Sequence, residues 1–453
     1  MASSSRLPIA LVHFQLVLYS LLWWTVQPVF PYLSSSLGAS ATQLGYIAAA
    51  SQCVQLLGSP VMGRVMDKHG PRVALLLSHA MGALSYLLLS QADSLPLLYL
   101  SQLPTFFLAA MHASQTYCTL VSTPEERAAA LGSLSLSYGV GMVLGPALGS
   151  AMNRWLSYQQ MALVSAVGSM IVFIILVAFL PPLTASSAAS SSSTSAPSVA
   201  SSTTAVKAAG DSSLWSALST LVSNRSLRSL LITKVLGMFA VSLYRQAFTL
   251  LAKDTYSLSS QHFGYLLSAV AVLSILANTA VIRVLAAWYD QRTIIRHGLL
   301  VLALSFLSLS LFTSSLGALL AFTVPITIVG TLLSTQLTAS LTSASSASQA
   351  GAVLGLDQSV GQASRVAAPV VAGWLLDASG KGGGQMGVGL LCGAVVGLSW
   401  LDWSWRGGGS EAEVASKAVA VDVDGAEPLL NDRSAGSKHK TGTADSVEVK
   451  KAR

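Results

Sequence analysis

GRVMDKHGPR, residues 63–72, sets four formal charges, a histidine and two glycines between stretches that carry almost no charge. So polar a decapeptide reads as a turn held in water, and the chain on either side says what it interrupts. Only 9% of the 453 residues are charged and 52% are hydrophobic, whereas about a quarter of an ordinary soluble domain is charged. Apolar runs of the ~20 residues needed to cross a bilayer recur at 9–30, 44–64, 73–91, 95–120, 128–152, 160–181, 227–250, 262–285, 296–314, 317–341, 349–376 and 383–404. The expected fold class is therefore all-α integral membrane, with twelve spans.

The first run follows MASSSR, is too long for a signal-peptide core and is not followed by a clear small-residue cleavage site, so it is expected to stay as a span. Cys53, Cys118 and Cys392 lie singly in different runs and suggest neither a disulfide framework nor a metal cluster. Lys and Arg collect on one side of the membrane: Arg64, Lys68, Arg72, Arg127, Lys207, Arg225, Arg228, Arg283, Arg292 and Arg296 against Arg154, Lys253 and Lys381. That bias makes both termini cytoplasmic. It also places the Asn224-Arg225-Ser226 glycosylation pattern on the side where the modification does not occur. The net charge of +7 is then topology and contact with anionic lipid, not a nucleic-acid footprint.

The chain repeats itself. Gly45-Tyr46 precedes Arg64 by nineteen residues from the glycine, and Gly264-Tyr265 precedes Arg283 by the same nineteen. Gly132 precedes Pro146 by fourteen residues, and Gly355 precedes Pro369 by fourteen. A six-span unit is duplicated. The expected domains are an N-terminal bundle (1–181), a flexible Ser/Ala/Thr linker (182–226), a C-terminal bundle (227–404) and a disordered cytoplasmic tail (405–453). Within the linker LWSALSTLV, 214–222, reads as a short interfacial helix, and in the tail DVDGAEPLLND only loosely matches an acidic dileucine signal.

Two six-helix halves joined by a polar linker are how major facilitator transporters are built, and the decapeptide resembles that superfamily's signature between spans 2 and 3. Its residues Gly63, Arg64, Asp67, Lys68, Gly70 and Arg72 make up the pattern. The resemblance implies that Asp67 meets the N-terminal end of span 11, near Ser348 and Gln349, as a cytoplasmic latch. Arg64 or Arg72 would meet Glu125 or Glu126 beside Arg127 in TPEER. In span 5, Gly141, Gly145, Pro146 and Gly149 resemble the signature of the drug/proton antiporter branch. Glycines four apart admit close helix packing, and the proline bends the axis. The consensus arginine of span 4 falls on Gln102, a departure that weakens the case for proton coupling. QLLGSPVMGR, PEERAAALG and AVLGLDQSVGQASR are similar to the organic-cation-transporter-like branch of solute carrier family 22.

Charged groups inside a membrane usually face a wet cavity or a partner. Lys234, Arg245, Asp357 and Arg365 are such groups. Lys234 has the alternative of snorkelling to the surface. Arg365, mid-span, is expected to line the central cavity and bind substrate or pair with Asp357 or a polar group of the other half. Gln52 and Gln55 share one face, His112 and Gln115 another, and Asp357, Gln358 and Gly361 a third; these complete the substrate or coupling cavity. His13 and His79 are further titratable groups. Trp23 and Trp24 suit either a cation-binding face or an interfacial belt.

The expected function is secondary active transport of small organic molecules by alternating access, with organic cations or drug-like amphiphiles exchanged for protons. Three intramembrane bases against one acid keep an organic anion or lipid-like substrate open, and a transport-inactive scaffold or receptor is the reading from another class. Enzymatic chemistry is not expected, because the seven histidines are scattered and no nucleophile, base or metal spacing occurs; no cofactor and no metal are implied. The expected partners are a small organic substrate, protons and the lipid bilayer, for a monomer in the plasma membrane or an intracellular one.

Overall fold

The computed structural model describes residues 6–122, 126–182, 225–312, 315–343 and 350–424, and among them only helices and connections occur. The linker expected at 182–226, with its interfacial helix, lies almost wholly outside the described residues, as do Glu125, Ser348, Gln349 and the tail beyond Asp424. The chain divides into Met1–Ser404, which holds the site, and Trp405–Arg453.

The N-terminal half runs α1 (Arg6–Val26), α2 (Phe30–Ser36), α3 (Ala41–His69), α4 (Pro71–Ser90), α5 (Leu95–Leu100), a 3₁₀ turn (Leu103–Phe107), α6 (Ala110–Val121), α7 (Arg127–Met152) and α8 (Tyr158–Phe179). The C-terminal half runs α9 (Arg225–Leu250) into a π turn (Leu251–Thr255), then α10 (Ser260–Leu276), a second π turn (Ala277–Val281), α11 (Ile282–Trp288), α12 (Gln291–Leu311), α13 (Leu316–Ser343) and α14 (Ala350–Asp424). Among the described residues, nine stretches are long and apolar enough to cross a membrane. Adding α3, the broken 95–121 segment and the first arm of α14 fits the twelve expected crossings.

Local chemistry sets the helix ends. Ser40 and Ser157 start α3 and α8 with capping boxes completed by Gln43 and Gln160, and Asp290 accepts the Thr293 N–H at the start of α12. Such caps satisfy backbone donors that have no partner within the helix. GRVMDKHGPR is less of a loop than its polarity suggests. Gly63–His69 are the last turns of α3, Gly70 alone makes the corner at φ 82°, and Pro71 opens α4. A left-handed φ admits glycine readily, and proline suits a first helical position.

One span differs from expectation, and one long helix conceals two that do not. The 95–120 run is not one helix: with Pro96 and Pro104 each lacking an N–H, it divides into α5, the 3₁₀ turn and α6. α14 is not one straight rod. A Cβ on Gly384 would stand 3.2 Å from the Leu376 Cα, whereas eight residues of straight helix span about 12 Å. The chain therefore doubles back through the glycines around 380–383 and gives two antiparallel arms, spans 11 and 12 of the expectation.

Each half has its own apolar core. Leu16, Leu75, Tyr117 and Leu176 are fully buried in the first, and Leu299, Phe306, Leu319 and Val388 in the second. Between the halves α7 packs along α1 on one side and α10 on the other. Gly141, Gly145 and Gly149 all lie against α1, where a Cβ on Gly145 would meet that of Trp24 at 2.6 Å. The hydrogen bonds described between the halves gather at the end of the bundle opposite Gly70. Thr42 N–H donates to Asp377 Oδ2 (2.8 Å), Tyr32 Oη to the Leu258 carbonyl (2.6 Å), Asn153 Nδ2 to Ser260 Oγ (2.5 Å), and Lys253 Nζ to Ser35 Oγ.

Candidate functional site

The site begins with two helices that carry cations into an apolar bundle. α9 brings Lys234 and Arg245, eleven residues or about three turns apart, and the first arm of α14 brings Asp357 and Arg365. Lys234 does not snorkel. It is 4% exposed, lies 2.5 Å from Asp357, which is 5% exposed, and donates a second hydrogen bond to Thr338 Oγ1 of α13 at 2.5 Å. The depth of both groups explains this, because an ammonium buried there is stable only with a counter-ion. Asp357 is thereby matched with Lys234 and not with Arg365, from which eight residues of helix separate it.

Arg245 and Arg365 lie beyond this pair and share the walls of the same cavities. Both line two adjoining cavities between the halves, together with Trp24, Ser242 and Leu267. One cavity, of about 360 Å³, lies mostly among α9, α10, α12 and α13 and is walled by aliphatic side chains such as Val241, Leu302, Ile326 and Leu337; Lys234 also reaches its wall. The other, of about 500 Å³, faces the N-terminal half and is lined by Gln27, Gln52, Gln55, Gln102, Gln246 and Gln362, with Tyr19, Trp23 and Tyr138. No carboxylate stands among the described lining residues of either. The result is an apolar lobe and an amide-rich lobe, with two guanidiniums where they join.

Of the residues selected from sequence, Gln52, Gln55, Lys234, Arg245 and Arg365 come together on these walls, and Asp357 stands behind Lys234. His112 and Gln115 are not on them: His112 is exposed on α6, and the backbone carbonyls of both receive threonine hydroxyls, from Thr116 and Thr119. The side chain of Gln358 lies outside the described residues. Both tryptophans of the α1 pair face the cavity and not a belt, with Trp24 on both lobes. Gln27, Gln246, Gln362 and Tyr138 were not selected. Gln362 had a usable signal, since it stands three residues before Arg365 on the same helical face.

At the Gly70 corner Arg64, Asp67 and Lys68 are exposed on α3, and Gly63 and Gly70 are buried. Arg72 Nη2 donates to the carbonyl of Val177 near the end of α8, at 2.8 Å. Glu126 is the N-cap residue of α7, next to Arg127, and gives no side-chain cap. Among the described residues, no group of three or more His, Cys, Asp or Glu is placed to hold a metal ion. A separate polar cluster lies inside the N-terminal half: Gln15 donates to Ser114 Oγ (2.6 Å) and meets His79 Nε2 through its own oxygen (3.0 Å).

Residues 12–369 match the model of the Major Facilitator Superfamily. The chain belongs to that superfamily. It is 30% identical over 278 residues to human "Solute carrier family 67 member A1", covering 60% of this chain and 63% of the relative. It is 29% identical over 301 residues to mouse "Solute carrier family 22 member 18", covering 64% and 70%. The match thus spans less than two thirds of the human relative's length. Among solved structures, the human organic anion transporter MFSD10 (TETRAN) aligns with a TM-score of 0.57 at 19% identity over 86% of this chain and 99% of that one, a likeness of fold. The chain is a multi-pass membrane protein of that superfamily.

Proposed function

We propose that this transporter carries amphiphilic organic anions by alternating access, the acidic head held between Arg245 and Arg365 and the apolar part in the aliphatic lobe. The observation that carries the reading is the pair of guanidiniums on shared cavity walls whose described residues include no carboxylate. Two like charges on one cavity wall each disfavour the other, and an anionic ligand supplies a counter-charge with charge-assisted, forked hydrogen bonds. The six glutamines offer both donors and acceptors to the rest of a polar head. The organic anion transporter of similar fold agrees with this substrate class.

The aromatic walls at Tyr19, Trp23, Trp24 and Tyr138 favour a second reading, an organic cation exchanged for protons, since ring faces attract cations. The two guanidiniums oppose it. In either case the protein works as a monomer, as two six-helix bundles with both termini and the Gly70 corner cytoplasmic, in the plasma membrane, and with no enzymatic activity. The hydrogen bonds gathered at the opposite end then close its outer face. Uptake into proteoliposomes of toluenesulfonate and of tetraethylammonium, each with and without a pH gradient, separates the readings. Accumulation of the sulfonate alone is expected. Accumulation of tetraethylammonium alone would replace the anion reading with the cation one.

A further inference from the structure

The glutamines of this protein fall into two kinds. Those that hold helices together are bonded to their neighbours: Gln15 to Ser114 and His79, Gln385 to the carbonyls of Leu309 and Phe312, and Gln291 to that of Gln336. Those of the amide-rich lobe are not. Among the described residues, the side chains of Gln27, Gln52, Gln246 and Gln362 make no hydrogen bond within the protein, and those of Gln55 and Gln102 donate only to the nearby Ser51 and Ser101. We infer that this lobe takes the hydroxylated ring of a sugar acid, so that the cargo is a conjugate of a uronic acid with an apolar aglycone; this rests on the anion reading above and names the substrate class within it.

The chemistry of the wall selects the ring. A glutamine amide carries two donors and an acceptor, and a ligand group that displaces water from it gains only by returning those hydrogen bonds. Hydrocarbon offers neither, and a bare sulfonate or carboxylate only accepts. A sugar hydroxyl donates and accepts, and several on one ring meet several amides at once. The C–H faces of a pyranose are weakly positive, and the same lobe sets Trp23, Trp24 and Tyr138 beside the amides, with the negative faces of their rings to receive such a surface. An amide meets either end of a hydroxyl, so the wall grips a polyhydroxyl ring without choosing between isomers that differ in the orientation of one hydroxyl.

The order of the parts along the cavity fits the conjugate. Gln246 follows Arg245 on α9, and Gln362 stands about one turn before Arg365 on α14, so each guanidinium has an amide beside it on its own helix. In a β-glucuronide the aglycone and the carboxylate flank the ring oxygen at one edge of the sugar, and the free hydroxyls occupy the opposite edge. With the carboxylate between the guanidiniums, the hydroxyl edge enters the amide-rich lobe and the aglycone enters the aliphatic lobe against Val241, Leu302 and Ile326. Cavities of about 500 and 360 Å³ admit a single pyranose and a compact aglycone.

The test uses the full chain in proteoliposomes and three probes: para-nitrophenyl glucuronide, the neutral para-nitrophenyl glucoside, which lacks the acid, and toluenesulfonate, which lacks the hydroxyls. The glucuronide should show a KM about tenfold below that of either partial analogue, the worth of one or two net hydrogen bonds or of the anion's pairing. Gln52→Leu and Gln362→Leu should each raise the KM for the glucuronide by a larger factor than the KM for toluenesulfonate, so that the preference shrinks about threefold or more. A wild-type KM for the glucuronide no lower than that for toluenesulfonate would overturn the sugar-acid inference and leave the anion reading standing, as would a preference that neither glutamine variant reduces. Uptake of the glucoside with no uptake of either anion would overturn both. If the variants fail to fold, the wild-type comparison of the three probes still decides.

Discussion

The carbonyl oxygen of Pro146 lies 2.6 Å from where a Cβ on Gly264 would stand, so α7 and α10 meet across the two halves backbone to backbone. The same contact occurs a second time: the carbonyl group of Pro369 fills the place of a Cβ on Gly45, with its carbon at 3.1 Å. These are four of the eight residues that the two repeated intervals mark, two in each half, each glycine against the proline of the other half. Cα–H···O contacts of this kind recur where helices pack closely. A side chain at either glycine must push the halves apart. Gly264→Leu should raise the labelling of a Ser260→Cys probe several-fold above the background of the three native cysteines, of which Cys118 and Cys392 are buried. Unchanged labelling would show that the contact does not hold that end shut.

Asp377 extends that closure. It caps the start of α3 from the other half, and although burial works against its ionisation, the donors of Thr42, Ser40 and Ala41 outweigh it and hold the carboxyl below its usual range. A depressed value in the closed form means that its support is present above the ordinary carboxylate range, near pH 4, and fades as pH falls through the closed-form value. Asp377→Asn should therefore open this end at neutral pH, as strong acid does in wild type. Spin-label distances between Ser40→Cys and Ala378→Cys should lengthen in the variant at pH 7.

Arg365→Ala should weaken toluenesulfonate uptake about tenfold to a hundredfold, the loss of a charge-assisted hydrogen bond of about 1.5–3 kcal/mol, with surface expression kept. Arg245→Lys should recover only part of the loss seen in Arg245→Ala, since a point charge replaces a planar fork. Equal kinetics in Arg365→Ala and wild type would remove the guanidinium pair from the site.

Gln15 and His79 make a stability prediction apart from transport. Both are almost fully buried, at 1% and 0% exposure, so Gln15→Leu leaves ring nitrogen Nε2 of His79 and the Ser114 hydroxyl short of a partner. The cost expected is about 1–3 kcal/mol, seen as a lower melting temperature in detergent. Gln52→Leu, on the cavity wall, should shift it far less.

The number of crossings and the duplication were legible because each rests on something periodic, apolar runs of bilayer length or an interval that recurs. The break in the fourth crossing was less so, since LPLLYLSQLPTFFLAA is mostly apolar and only Pro96 and Pro104 hint that its hydrogen bonding fails. At the site, burying a charge is so costly that Arg245, Asp357 and Arg365 stood out in the one-dimensional chain. Which cation met Asp357 did not, because Lys234 lies 123 residues away and only the packing of α9 on α14 selects it over Arg245. The glutamines were hardest to read: an amide is cheap enough to occur anywhere in a membrane helix, and six of them converge only once spans 1, 2, 4, 7 and 11 are assembled.

The amide-rich lobe has a consequence for how such a protein changes over time. A glutamine accepts as readily as it donates, so that wall discriminates weakly between polar heads, and under the proposed anion transport the preference for one sign of charge is vested in two side chains. A codon change at either arginine would redirect the transporter toward neutral cargo, while the helix contacts that let it switch between faces stay as they are. On that reading, a new substrate range lies a short mutational walk from this sequence, through positions 245 and 365.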